Sequence, residues 1–374
     1  MTSNPQKLFE LGQSLWYDNI ERRLLNNGEL EAMIERGDIY GVTSNPSIFE
    51  NAIGNSDDYD EELAKLAKEG HDAAAIFDAL AASDIQAATD LFASVYERTE
   101  GGDGYVSIEV LPEFANDTEA SIREAARLWE LVDRPNLMVK IPGTQAGLPA
   151  IQQSTADGIN INITLIFSRA RYAEVIDAYL SGLEERVAQG QPIDRIASVA
   201  SFFVSRVDSK VDAWLEDIVR GEGPYAAKAA ALRGRIAVAN AKQAYRLFKE
   251  QFASERFAAL KEHGARVQRP LWASTSTKNP EYPDLLYVDE LIGADTVNTV
   301  PHKTLDAFKD HGHPELSIEE DLDAAQQALD DLKAIGLSLD QATAELEEEG
   351  VAAFSKSIHS LMDTVEERRA QFAN

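Results

Sequence analysis

Not one of the 374 residues is a cysteine. That excludes disulfides, zinc–thiolate sites and cysteine nucleophiles. No stretch approaches the roughly 18 apolar residues a membrane span requires. The first eleven residues lack the basic flank and apolar run of a signal peptide. Positive charge is scarce as well: 35 Lys and Arg stand against 64 Asp and Glu, a formal net charge of −29. Phosphate backbones need a cationic footprint, so nucleic acid is excluded as an expected partner. Anionic membrane surfaces are disfavoured for the same reason. These absences predict a cytoplasmic protein. An anionic substrate then needs a site with its own positive charge, set against a negative global field.

Short apolar runs alternate with longer amphipathic ones along most of the chain. The runs predict strands over residues 15–20, 39–43, 105–110, 137–141, 160–165, 196–203, 270–274 and 294–300. Helices are expected between them, at about 21–36, 57–96, 117–131, 146–155, 168–189, 206–263 and 302–309. Strand–helix alternation implies a parallel sheet. Eight repeats imply an α/β fold of the closed (β/α)₈ TIM-barrel type, for which about 250 residues suffice. The surplus falls in a helical insertion at about 52–100, an extra helix pair between the sixth and seventh strands, and a helical tail at about 314–374. One domain, 1–374, accommodates all of it. In the tail Val351, Phe354, Ile358, Leu361 and Val365 recur at helical spacing, predicting a helix docked on the barrel. The less favoured reading makes that helix a lid over the barrel mouth. A doubly wound sheet is the competing architecture, but its Gly-rich phosphate loop is missing after the first strand. Gly101-Gly102-Asp103-Gly104 precedes a strand and reads as a turn.

In a barrel, catalytic groups come from the C-terminal ends of strands. Lys140 stands out in Leu137-Met138-Val139-Lys140-Ile141-Pro142-Gly143-Thr144. A cation at the end of a buried strand is costly unless it is paired or gives up its proton. A lysine held near neutrality is a nucleophile for carbonyl carbon. The plain alternative is a lysine that snorkels outward. Glu109 lies inside Val106-Ser107-Ile108-Glu109-Val110, where an unpaired carboxylate is equally costly. Asn162 and Thr164 alternate with Ile161 and Ile163, so both point to one face. Asp18 and Asn45 follow strands, where such residues usually cap helices or form turns. Ser201, Arg206 and Lys278 complete the set as a cationic, hydrogen-bonding group suited to phosphate. Together they fit Schiff-base chemistry: an amine, a proton shuttle for dehydration of the carbinolamine, and a second acid/base for the carbon–carbon step.

Several segments in order resemble the transaldolases of the pentose phosphate pathway. They are Trp16-Tyr17-Asp18-Asn19, Gly41-Val42-Thr43-Ser44-Asn45-Pro46-Ser47, the Glu109 and Lys140 segments, Ile161 to Ser168, and Val199 to Arg206. The resemblance covers about residues 15–310, and the length is similar to that of the longer bacterial subgroup. It implies that Lys140 forms a Schiff base with the ketose donor. Glu109, acting through a water with help from Thr164, would form and dehydrate the carbinolamine. Asp18 would be the acid/base for cleavage, Asn45 and Asn162 would bind donor hydroxyls, and Ser201 and Arg206 would bind phosphate. The reaction implied moves a dihydroxyacetone unit from sedoheptulose 7-phosphate to glyceraldehyde 3-phosphate. Fructose 6-phosphate and erythrose 4-phosphate result, without metal or organic cofactor, in a monomer or homodimer.

Two positions depart from the family pattern. Members often carry a second phosphate-binding arginine after the seventh strand. Here Trp272 to Asn279 offers Lys278, a point charge without bidentate geometry. The frequent Ser-Pro-Phe of the sixth strand reads Ser201-Phe202-Phe203. A Schiff-base aldolase without a sugar acceptor is the first rival reading, and Glu109, typically missing from the short aldolase-like relatives, favours the transferase. A metal-using protein is the second. His311-Gly312-His313 is the close histidine pair, and two histidines without further ligands make a poor metal site, so a solvated loop is expected there.

Overall fold

The computed structural model describes residues 2–372. Seven strands form one parallel sheet: β1 (Gln13–Tyr17), β2 (Val106–Glu109), β3 (Leu137–Pro142), β4 (Ile161–Ile166), β5 (Ser198–Phe203), β6 (Gln268–Ala273) and β7 (Thr296–Val300). Their order is β1-β7-β6-β5-β4-β3-β2. Every residue of β1, β3, β4, β5 and β7 is buried. That is the cost and the signature of a parallel sheet covered by helices outside and filled by side chains inside.

The expected strand at 39–43 is the one that departs. It shrinks to Val42, which bridges in parallel to Tyr17 on one side and to Val106 on the other. The amides of Tyr17 and Thr43 donate to the carbonyls of Gly41 and Tyr17, each at 2.9 Å. The amide of Val42 donates to Tyr105 at 2.9 Å, and that of Ser107 to Val42 at 3.0 Å. The segment therefore joins the two edge strands and curls the sheet into a barrel. It stays short because Asn45-Pro46 starts a helix at once. The proline has no amide for a ladder, and the Asn45 side chain accepts from the Ile48 amide at 3.0 Å as the helix cap.

Helix boundaries shift where a cap or a glycine intervenes. The helix expected over 21–36 divides into Arg22–Asn26 and Glu29–Glu35, with Gly28 between them at φ +79°. The region expected over 57–96 becomes Asp57–Tyr59, Asp60–Lys68 and Ala73–Arg98. Helix Pro46–Gly54 precedes them. Between the strands carrying Ser201 and Trp272, four helices run: Ser205–Arg220, Ala226–Leu232, Ile236–Phe252 and Glu255–Lys261. An unexpected short helix, Asn4–Glu10, opens on a capping box made by Ser3 and Gln6.

The tail forms helices Leu322–Ala334 and Leu339–Phe372. Phe354, Ile358, Leu361 and Val365 are buried, as their spacing predicts, and Val351 is half-buried. The long helix packs along helices 46–54, 60–68 and 73–98 and reaches helix 205–220. Lys210 holds Glu345 and Glu349 at 2.6 and 2.7 Å, while Arg368 bonds Asp60 and the Ile53 carbonyl. The helix thus spans the sheet's C-terminal side, and Gly350 rests on Leu165.

A methyl group on Gly41 would lie 2.6 Å from the fully buried Trp16 indole. Gly41→Ala therefore overpacks the closing segment and costs about 1–3 kcal/mol of stability. The midpoint of urea unfolding is expected to fall with an unchanged slope.

Candidate active site

Lys140 and Glu109 sit directly opposite each other on β3 and β2. Both side chains are almost fully buried, and Lys140 Nζ lies 3.0 Å from Glu109 Oε2. The amine also donates to the Ser44 carbonyl at 2.9 Å. Among the described residues neither oxygen of Glu109 has a well-angled hydrogen bond, and the contact with Lys140 offsets its burial. Burial accordingly raises the Glu109 carboxyl above its usual range, opposed by the Lys140 charge.

The polar groups next to Lys140 on the other side are uncharged. Asn162, opposite Lys140 on β4, donates to Ser107 Oγ at 3.0 Å. It accepts from Ser201 Oγ at 2.7 Å. Ser107, Asn162 and Ser201 thus form one hydrogen-bonded row across three strands. A bulge in β4 follows, between Ile163 and Ile166, with Leu165 at φ +59°. Thr164 keeps the inward face expected from the alternation, and its buried hydroxyl has no partner among the described residues.

Asp18 follows β1. Its carboxylate accepts from Thr43 Oγ1 at 2.7 Å, and Thr43 contacts Thr299 Oγ1 at 2.6 Å. Burial raises the Asp18 carboxyl, against the pull of the Thr43 hydrogen bond and of Lys140, Lys278 and Arg206. Arg206, on the first turn of helix 205–220, rests its guanidinium 5.0 Å from the centre of the Phe203 ring. Burial lowers its pKa, opposed by the Asp18 charge. Among the described residues, no carboxylate pairs with Arg206 or with Lys278. Two unpaired cations at one opening are an unusual feature in a protein of charge −29.

These groups meet at one cavity of about 280 Å³ at the C-terminal ends of the strands. Asp18, Asn45, Lys140, Thr164, Ser201, Arg206 and Lys278 line it. Glu109 and Asn162 stand immediately behind, each bonded or paired to a lining residue. Nine residues scattered over 260 positions of sequence are thereby brought together. The motifs overlooked several contributors, Thr43 and Phe354 among them. Thr43 was visible inside Thr-Ser-Asn-Pro but its bond to Asp18 was not. Phe354 lines the cavity from the tail helix, so that helix supplies part of the mouth's wall as well as packing.

Other clusters lack this combination. A cavity of about 330 Å³ opens at the opposite end of the barrel, where Arg269 is already engaged by Ser14 and Asp103. His311 and His313 are exposed and pair with Asp284, Asp310 and Asp289. Among the described residues no three potential ligands are gathered for a metal. No helix there is long and apolar enough to cross a membrane.

An amine, carboxyl groups with raised pKa and unpaired cations at a barrel's C-terminal mouth define the class: a (β/α)-barrel enzyme. A family model described as Transaldolase/Fructose-6-phosphate aldolase matches residues 15–365. The chain is 48% identical over 373 residues to the transaldolase of Saccharopolyspora erythraea, covering 99% of this chain and 98% of that one. It is 48% identical over 369 residues to that of Mycolicibacterium smegmatis, covering 98% of both. It is 44% identical over 372 residues to that of Trichodesmium erythraeum, again 98% of both. The chain belongs to the transaldolase/fructose-6-phosphate aldolase family.

If the two cations bind phosphate, inorganic phosphate binds at the mouth. Arg206→Ala is expected to weaken that binding by about tenfold or more, the loss for a charge-assisted contact. Titration calorimetry measures it.

Proposed function

We infer that this protein is a transaldolase that moves a dihydroxyacetone unit between sugar phosphates. It takes the unit from sedoheptulose 7-phosphate to glyceraldehyde 3-phosphate, leaving erythrose 4-phosphate and making fructose 6-phosphate. The observation that carries this reading is the Lys140–Glu109 pair, 3.0 Å apart, with Lys140 on the wall of a mouth that also holds Asp18 and two unpaired cations.

Lys140 Nζ attacks the ketose carbonyl carbon. The carbonyl oxygen becomes the hydroxyl of a carbinolamine, then leaves as water when an acid protonates it. Glu109, with a raised pKa, holds a proton for that step and takes it back on hydrolysis. Thr164, with an unpartnered hydroxyl on the same face, can orient the water. The Schiff base withdraws electrons through the carbon beside it from that carbon's bond to the next one along the chain. Asp18 as carboxylate removes the proton of the hydroxyl on the far carbon of that bond, the bond breaks, and the aldose departs. The enamine left on Lys140 adds to the acceptor aldehyde, and Asp18 returns the proton.

Both carboxyls lie close to the amine. Burial favours the neutral acid at each, which limits the negative charge gathered beside the amine. In this reading Asn45 meets donor hydroxyls at the rim, Asn162 holds Ser201 by its hydrogen bond, and Arg206 with Lys278 takes the phosphate. The acidic surface and the absence of a membrane-crossing helix among the described residues support work in the cytoplasm.

Borohydride added with fructose 6-phosphate should leave a three-carbon adduct on the peptide holding Lys140, read by mass spectrometry. An adduct elsewhere, or none, would overturn the assignment. Rapid release of free dihydroxyacetone without erythrose 4-phosphate would favour the aldolase reading instead. The pH profile supplies a second check. Asp18 must be ionised to start cleavage, and its pKa is raised, so kcat should fall with acidity at a pH above the ordinary carboxylate value of about 4. Asp18→Asn should remove this limb together with most of the activity, by about 10²-fold or more.

A further inference from the structure

Lys278 presents a positioning problem that Arg206 does not. Arg206 is on the first turn of a sixteen-residue helix, Ser205–Arg220. Lys278 sits in the irregular segment between the end of β6 at Ala273 and the short helix Leu286–Asp289. A lysine is a point charge on a flexible stem, and on a loose loop it would bring little phosphate affinity.

The segment is tied down at both ends to the helix that carries Arg206. At the near end Ser205 N donates to the Ser274 carbonyl at 3.0 Å, and the two hydroxyls meet at 3.0 Å. At the far end Tyr282 donates its hydroxyl to Asp212 Oδ2 at 2.7 Å, and Tyr287 donates to Asp208 Oδ2 at 2.8 Å. Asp208 and Asp212 are four residues apart, on one face of the helix. Each is locked by its second oxygen, which accepts a backbone amide from the start of helix Ile236–Phe252 or from the turn just before it. Ala237 N reaches Asp208 at 2.7 Å, and Gly234 N reaches Asp212 at 3.0 Å. The Tyr282 ring lies so close to Gly234, at φ +68°, that a methyl group there would be 2.8 Å from it.

Burying two carboxylates is expensive. Asp208 is 1% exposed, and burial pushes its carboxyl up to about 7. Burial also raises both tyrosines, which keeps them protonated as donors. Apolar side chains would stabilise the helix contact at lower cost. They would not fix the orientation of an irregular segment, which directional bonds to locked acceptors do.

We propose that Asp208, Asp212, Tyr282 and Tyr287 form a clamp that sets the spacing of Arg206 and Lys278, and so act as positioning residues for the phosphate end of the substrate. This rests on the functional reading above, in which those two cations bind phosphate. None of the four residues lines the mouth.

Tyr282→Phe, Tyr287→Phe, Asp212→Asn and Asp212→Ala in the full chain test the clamp. In Tyr282→Phe the dissociation constant of inorganic phosphate, measured by calorimetry, should rise about five- to twentyfold, as expected for one lost hydrogen bond. KM for the sugar phosphates should rise with it, while kcat changes by less than about twofold. The yield of the borohydride adduct with unphosphorylated dihydroxyacetone should not move. Asp212→Asn, whose oxygen can keep the Gly234 amide while its NH₂ donates to the Tyr282 hydroxyl oxygen, should hold phosphate affinity near the wild-type value, whereas Asp212→Ala should lose it. Tyr287 is buried, and if its variant does not fold, the half-buried Tyr282 decides the matter. Unchanged phosphate affinity in folded Tyr282→Phe would overturn the clamp. So would an equal loss of kcat and adduct yield. Phosphate binding needs no turnover, so a wild-type protein that binds phosphate but transfers no three-carbon unit would sink the functional reading and leave the clamp standing.

Discussion

The most demanding constraint in this structure is an amine buried at the end of a strand. Lys140 has two nearby polar contacts, a carboxyl at 3.0 Å and a backbone carbonyl at 2.9 Å. Both come from the closing side of the barrel: Glu109 from β2, and Ser44 from the short segment between β1 and β2. The amine is satisfied only if the barrel is closed. The closure in turn depends on Val42, a single bridging residue with a partner on each side. A weak seam in the sheet and the most expensive side chain in the core are therefore one problem, solved together by residues 41–45.

A second layer of design concerns charge. The chain is strongly acidic, yet among the described residues no carboxylate pairs with Arg206 or Lys278 at the mouth. Anionic ligands entering it exchange water for unpaired cations within a partly desolvated wall, where the attraction is less screened than on the surface. Acidic side chains nearby are diverted elsewhere. Asp208 and Asp212 are spent on tyrosines and backbone amides, and Glu345 and Glu349 on Lys210. The helices added to the basic barrel thus serve the site, one by carrying Arg206 and the tail by walling the mouth with Phe354.

Much of this was legible before the fold was known. Strand–helix alternation placed all the long strands to within a few residues, because a strand buried on both faces must be largely apolar. Lys140 and Glu109 were conspicuous for the same reason, as charges inside such runs. Residues 39–43 misled because an apolar run does not reveal how many of its amides find ladder partners. The split at Gly28 and the helix at Asn4 were local matters of caps and positive φ that periodicity averages away. The clamp residues gave no signal, since an aspartate on a helix and a tyrosine in a loop are ordinary until they meet.

By itself the sequence determined what had to be buried and therefore what class of barrel could bury it. It named the family's motifs and the chemistry an embedded lysine can do. Tertiary structure alone decided which groups face one another: Glu109 beside Lys140, Asp18 held by Thr43, Ser201 given over to Asn162, and Lys278 tethered to the helix of Arg206. The physical reason is range. Hydrophobic burial and periodicity act along neighbouring residues and can be read in order, whereas a hydrogen bond or ion pair depends on a few ångströms between atoms that the chain brings together from far apart.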